Sequence, residues 1–161
     1  MNDIAMDPSG WRAAAQALQP DTVALRRAIH AEPELGLETP KTLAKVKAAL
    51  AGLPLEWKQG NATTGAVAVL RGGKPGRTVL LRGDMDALPM PEDTGLPFRS
   101  MVQGAMHACG HDTHTAMLAS AAKAMCARRE TLDGTVLFMF QPGEEGWHGA
   151  KCMIEDGLLD G

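Results

Sequence analysis

The sequence predicts an α/β fold, a central, mainly parallel sheet flanked by helices. Three observations predict it. Apolar residues recur at helical spacing in some segments and form short β-type runs in others, in the order helix, helix, three strands, helix, strand, helix. The central strand runs are apolar along their length, as strands covered on both faces are. The 161 residues, 45% hydrophobic and 22% charged, suffice for one domain with a sizeable core, which excludes a disordered tail.

Residues 1–10, MNDIAMDPSG, have no sustained periodicity and read as a disordered lead-in, so structure is expected from Trp11 onward. Asp21 is a good N-cap, after which Leu25, Ala28 and Ile29 recur at helical spacing until Pro33 ends the helix. Thr39 followed by Pro40 supplies a cap and a first-turn proline; Leu43, Val46 and Leu50 then carry a second helix to Gly52. Strands are predicted over 55–58, 66–70 and 78–82, separated by the turn-rich GNATTG and RGGKPG segments. A third helix fits 112–129, a turn at 132–134 leads into the strand 135–140, and a last helix fits 149–157. Another strand would be expected next, so the sequence is read as stopping inside a domain.

Sixteen Lys and Arg against nineteen Asp and Glu give a net charge of -3 with no basic stripe, which argues against nucleic acid as a partner. The longest apolar runs, such as 136–140, fall far short of a bilayer crossing, so no membrane partner is expected. No export signal precedes Trp11, and the cytoplasm is the expected compartment. There the odd set Cys109, Cys126 and Cys152 points to free thiols or a metal ligand rather than disulfides.

Chemistry clusters in three places. In LLRGDMDALP an apolar strand runs into Asp84 and Asp86, and alternation puts both carboxylates on one side if the backbone stays extended. In MHACGHDTH three of the five histidines and a cysteine fall between His107 and His114. An extended loop would point His107, Cys109 and His111 the same way, toward one borderline-soft divalent ion, with Asp112 or His114 as outer partners. In QPGEEGWHG, at the exit of the most apolar strand, Glu144 and Glu145 would project to opposite sides, one for metal and one for protons. Strand carboxyl ends in α/β sheets are where ligands bind, so the clusters should face one crevice. Outside them, His30 reads as a surface or capping histidine, His148 as a loop residue, and Cys126, Cys152, Met117 and Met125 as core packing.

Together LLRGDMDALP, MHACGHDTHTAML and GTVLFMFQPGEEGWHGAKCMIEDG resemble the amidohydrolase branch of the dinuclear metallopeptidases, which holds hippurate hydrolases, N-acyl-amino-acid amidohydrolases and plant auxin-conjugate hydrolases. The resemblance runs from about Leu25 to the end of the chain. It implies a zinc-exopeptidase-like catalytic domain of which residues 11–161 form the N-terminal portion, the lid or dimerisation domain and two further ligand histidines falling beyond Gly161. It also implies two divalent ions (Mn, Zn, Co or Ni) with Cys109 as shared ligand, His111 and Glu145 as ligands, Glu144 as catalytic acid/base and Asp84 as the acid supporting a ligand. Arg82 stands where relatives outside this branch place a ligand histidine, and Cys109 where they place a bridging aspartate, which marks the branch. The implied reaction is hydrolysis of the amide of a small N-acyl amino acid by an enzyme that forms homo-oligomers. Two other readings stay open: a hydrolase using Cys109 as nucleophile, and a non-catalytic metal-binding or oligomerising fragment.

Overall fold

A computed structural model describes residues 8–160. The elements are α1 (Pro8–His30), α2 (Pro40–Ala49), β1 (Glu56–Gln59), β2 (Ala66–Arg71), β3 (Lys74–Asp84), α3 (His111–Cys126), β4 (Asp133–Gln141) and α4 (Gly149–Glu155), with one 3-10 turn at Arg129–Thr131. The expected order of helices and strands is present.

The sheet order is β1-β2-β4-β3, and it is mixed rather than mainly parallel. β1 with β2 and β2 with β4 run antiparallel; β3 with β4 is the parallel pair. Connections explain the correction. A short turn joins β1 to β2 and can only reverse the chain, whereas β3 reaches β4 through α3, a crossover long enough to restore direction. β4 thereby inserts between β2 and β3, and every residue of β2 except Arg71 is buried.

That central position gives each face of the sheet its own core. Ala66, Ala68 and Leu70 of β2 pack with Phe138 and Phe140 of β4 beneath α2 and α3, which contribute Leu43, Val46, Leu118, Ala119 and Ala122. Val67 and Val69, with Leu137 and Met139, meet Met153 of α4 and Leu158 on the other face. The period of two along a strand covered on both sides yields this division. β3 differs: Val79 and Leu80 are exposed, and its outer edge pairs with no strand among the described residues.

α1 begins at Pro8, inside the predicted lead-in, of which residues 1–7 lie outside the described residues. It runs through Pro20, so Asp21 caps nothing. Tertiary contacts hold the added turns. Arg128 donates to the Gly10 carbonyl (2.9 Å) and lies 4.6 Å from the Trp11 ring centroid. Beyond the proline, the Thr22 hydroxyl donates to the Leu18 carbonyl (2.8 Å) and lies 2.6 Å from Ser120 Oγ of α3. Thr39 occupies the N-cap of α2 but makes no side-chain cap. Glu34 accepts instead from the Lys41 and Thr42 amides at 3.1 and 2.8 Å, placing a carboxylate at the positive end of the helix. No described helix is long and apolar enough to cross a membrane.

Candidate metal centre

Parallel pairing of β3 with β4 sets Asp84 opposite Gln141, so the chain leaves both strands at the same end of the sheet. The Met85 amide donates to the Gln141 carbonyl (2.8 Å), extending the ladder by one bond and holding Asp86 beside the β4 exit. The third cluster arrives on α3. Gly110, at φ +87°, turns the HACG loop into the helix, a conformation that costs glycine little. His111 is therefore the first helical residue and is buried against the strand ends. The loop after β4 closes tightly, and a Cβ on Gly149 would overlap the Pro142 carbonyl.

His111 is the hub. Its Nδ1–H donates to the Asp86 carbonyl oxygen (2.8 Å), which leaves Nε2 with a free lone pair in the neutral ring. Around Nε2 stand carboxylate oxygens of Asp84 at 3.7 Å, Glu144 at 3.7 Å and Glu145 at 3.8 Å. Cys109 Sγ, His111 and Glu145 present ligand atoms that lie within 4.8 Å of one another, as do Asp84, His111 and His114. Asp84 also bonds His114 Nδ1 (2.7 Å) and pairs with Arg82 (3.0 Å). The Asp86 carboxylate accepts from the Glu144 and Glu145 amides at 2.9 and 3.1 Å.

The charges are arranged for a cation. Burial pushes the His111 pKa down, but the Asp86 hydrogen bond and the Asp84 charge outweigh it and raise it to about 9. Without metal, a proton on His111 offsets the surrounding acids. Burial would raise the Asp86 pKa, yet its bonds to His111 and the two glutamate amides lower it. The Cys109 thiol is pushed up by its hydrogen bond to Glu145, by burial and by the nearby acids. Nitrogen, sulfur and carboxylate oxygen in one cluster fit a borderline-soft divalent ion, which would displace the protons from both His111 and Cys109.

The structure brings together Asp84, Cys109, His111, Glu144 and Glu145, and corrects five placements. His107 does not join Cys109 and His111: it is buried, neither ring nitrogen has a partner among the described residues, and burial lowers its pKa to about 4. Glu144 and Glu145 do not diverge, because β4 ends at Gln141 and Gly143, at φ +65°, bends the chain before strand alternation can act on them. His30 is no surface residue: it is buried, with Nδ1 2.6 Å from Asp112 and Nε2 3.2 Å from Glu92. Asp112 faces that network and also pairs with Arg26 (2.7 Å), so of the two suggested outer partners only His114 bonds an acid of the centre. Cys126 packs in the core, Cys152 is half-buried and Met125 lies against the core, but Met117 is exposed. His148, at φ +54°, occupies the N-cap of α4. Sequence reasoning gave Asp86 no role, although the spacing of its DMD motif put it on the same side as Asp84.

A family profile described as peptidase family M20/M25/M40 matches residues 80–161, the span holding all three clusters. The chain belongs to this family. It is 46% identical over 142 residues to thermostable carboxypeptidase 1 of Saccharolobus solfataricus, covering 86% of this chain and 36% of that protein. It is 42% identical over 144 residues to the N-acetyl-L-cysteine deacetylase of Bacillus subtilis, covering 89% of this chain and 35% of that protein. Among solved structures, the Bacillus subtilis YXEP protein, a dinuclear metal binding peptidase from the M20 family, superposes with a TM-score of 0.85 at 40% identity, covering 91% of this chain and 41% of that chain. This M20 chain thus spans about a third of the length of the curated relatives it matches.

Proposed function

We propose that this chain carries part of the active site of a metal-dependent amidohydrolase that cleaves the amide of small N-acyl amino acids. One observation carries the reading: His111 Nε2 faces Asp84, Glu144 and Glu145 at 3.7 to 3.8 Å beside the Cys109 thiol. The Bacillus subtilis relative is a deacetylase of N-acetyl-L-cysteine, which supports an acyl amide as substrate. Cys109, His111 and Glu145 would hold divalent metal, with Cys109 shared between two ions of Mn, Zn, Co or Ni. Bound metal supplies Lewis acidity, which activates water and polarises the scissile carbonyl.

The chain's own groups do the rest. Glu144, partly open to solvent, takes the proton from the attacking water and returns it to the leaving nitrogen, as general base and then general acid. Asp84 orients His114 through Oδ1 and keeps its other oxygen facing His111 Nε2 at 3.7 Å, where its charge favours a cation. The raised pKa of Cys109 opposes a nucleophilic role, since an activated thiol needs the reverse shift. In the whole protein, Glu144→Gln is expected to keep its metal, by elemental analysis, and to lose about a thousandfold in turnover of an N-acyl amino acid. Retained turnover would remove Glu144 from this role. An intact metal complement in Cys109→Ala would remove the thiol from the ligand set.

A further inference from the structure

We propose that Trp147 is a specificity residue of this centre: its open indole face forms a wall beside Glu144 and Glu145 and takes a flat apolar group adjoining the scissile amide. The proposal rests on the metallohydrolase reading above. Trp147 is 58% exposed, whereas Trp11 and Trp57 are half-buried. A single apolar side chain at the surface is ordinary; one locked into the rim of a polar site is not. A Cβ on Gly36 would meet indole Cε2, Cδ2 and Nε1 at 3.2, 3.3 and 3.4 Å. Cε2 and Cδ2 are the fusion atoms of the bicycle, so near-equal distances to them and to Nε1 describe a ring lying face-on over Gly36. A ring covered on one face and 58% exposed leaves its other face open. Gly36 is buried at φ +66°, so only glycine suits both that backbone and the indole above it.

Both supports of the ring belong to the site. Leu35, just before Gly36, bridges Ala87, and the Ala87 amide donates to the Glu34 carbonyl (2.8 Å), one residue past the Asp86 carbonyl that holds His111. On the other side, Trp147 Cβ would stand 3.0 Å from a Cβ on Gly143, the residue that bends the chain after β4. The turn is closed by the Gly146 amide on the Glu144 carbonyl (2.7 Å) and the Gly149 amide on the Gly143 carbonyl (3.0 Å). The indole is thus fixed by the turn that brings Glu144 and Glu145 to His111 Nε2. Acids crowd that nitrogen, and between Gly143 and Gly149 only Trp147 offers apolar surface, with Leu35, 41% exposed, next to Gly36. An aromatic ring beside the reacting amide gains both burial and stacking against the indole, which a methyl or a hydrogen cannot.

The test uses the whole protein, loaded with manganese, and reads kcat/KM for N-benzoylglycine and for N-acetyl-L-phenylalanine, each as a ratio to N-acetylglycine. The first substrate carries its ring on the acyl side, the second on the amino-acid side. In Trp147→Ala at least one ratio is expected to fall about tenfold, through KM, and the ratio that falls tells which side the wall serves. Trp147→Phe should bring it back to within about threefold of the parent. Both ratios within about twofold of the parent in Trp147→Ala overturn the proposal, whatever happens to turnover as a whole. A second readout needs no turnover and no folded Trp147→Ala. In Glu144→Gln protein labelled with 5-fluorotryptophan, the fluorine resonance missing from Trp147→Phe should shift on titration with a ring-bearing substrate. An unmoved resonance at saturation, or no binding of either ring-bearing substrate by calorimetry, overturns the proposal. A parent that hydrolyses none of the three substrates defeats the functional reading and the wall with it; turnover in the parent with unmoved ratios in Trp147→Ala defeats the wall alone.

Discussion

His111 and Asp112 are neighbours at the start of α3, yet they enter two buried polar clusters of opposite character. Around Asp112 each acid meets a nitrogen within 3.2 Å: Arg26 at 2.7 Å and His30 at 2.6 Å face one carboxylate, and Glu92 closes the far side of His30 at 3.2 Å. Around His111 the acids outnumber such partners. Asp84, Asp86, Glu144 and Glu145 converge on a single imidazole, with only Arg82 and His114 to help among the described residues, both bound through Asp84. A closed network fastens α1, the loop at Glu92 and α3 into one body; an acid-rich one stores a demand for positive charge. The surplus of acceptors, rather than burial or histidine content, distinguishes a ligand site from a structural one.

The most direct way to break this contrast is Asp112→Ala. It strands Arg26 and His30 without their shared acceptor, and about 3 kcal/mol or more of unfolding free energy should be lost in a denaturant titration. A loss below about 1 kcal/mol would mean that the network is ornamental.

His111→Ala should do the reverse in the whole protein. Metal Kd, by titration calorimetry, is expected to rise at least about a hundredfold, with far less stability lost than in Asp112→Ala. Undiminished affinity would detach His111 from the centre.

Proton competition sharpens the difference further. With its pKa raised to about 9, His111 is protonated at neutral pH in the metal-free protein, so metal must displace that proton. Affinity should therefore weaken by about tenfold per unit from the His111 proton alone, and up to about a hundredfold per unit once the Cys109 proton is also displaced, as the pH falls below 9; a flat profile from pH 6 to 9 would contradict it.

The smallest effect belongs to the closed network. Burial opposes charge on Glu92, but the Ser100 amide, the Thr94 hydroxyl and His30 outweigh it and hold the pKa at about 2, below its ordinary 4.5. The stability Glu92 contributes is thus present above pH 4.5 and lost as the pH falls from there through 2. Glu92→Gln should flatten that part of the acid-unfolding curve; an unaltered curve would assign the loss to other acids.

Local periodicity was enough to find each helix and strand, because the signal for Leu43, Val46 and Leu50 on α2, or for the apolar run of β4, lies within a few residues. It failed where distant groups took over. Pro20 stays inside α1 because contacts with Arg128 and Ser120 support the turns around it. The sheet is mixed because β4 inserts between β2 and β3, and no local pattern encodes which strand is a neighbour.

The same division runs through the site. The sequence by itself determined the donor chemistry, since thiol, imidazole and carboxylate at Cys109, His111, Glu144 and Glu145 are fixed by residue type, and their motifs fix the family. Only the tertiary structure decided that His107 and His30 lie outside the centre, that Asp112 serves a different network from His111, and that Asp86 joins two loops about 58 residues apart in sequence. Those outcomes depend on the parallel register of β3 against β4 and on the turn at Gly143, which set distances between groups remote in the chain. Hydrogen bonds and ion pairs act over a few ångströms, so the fold must bring such groups together before their chemistry can differ.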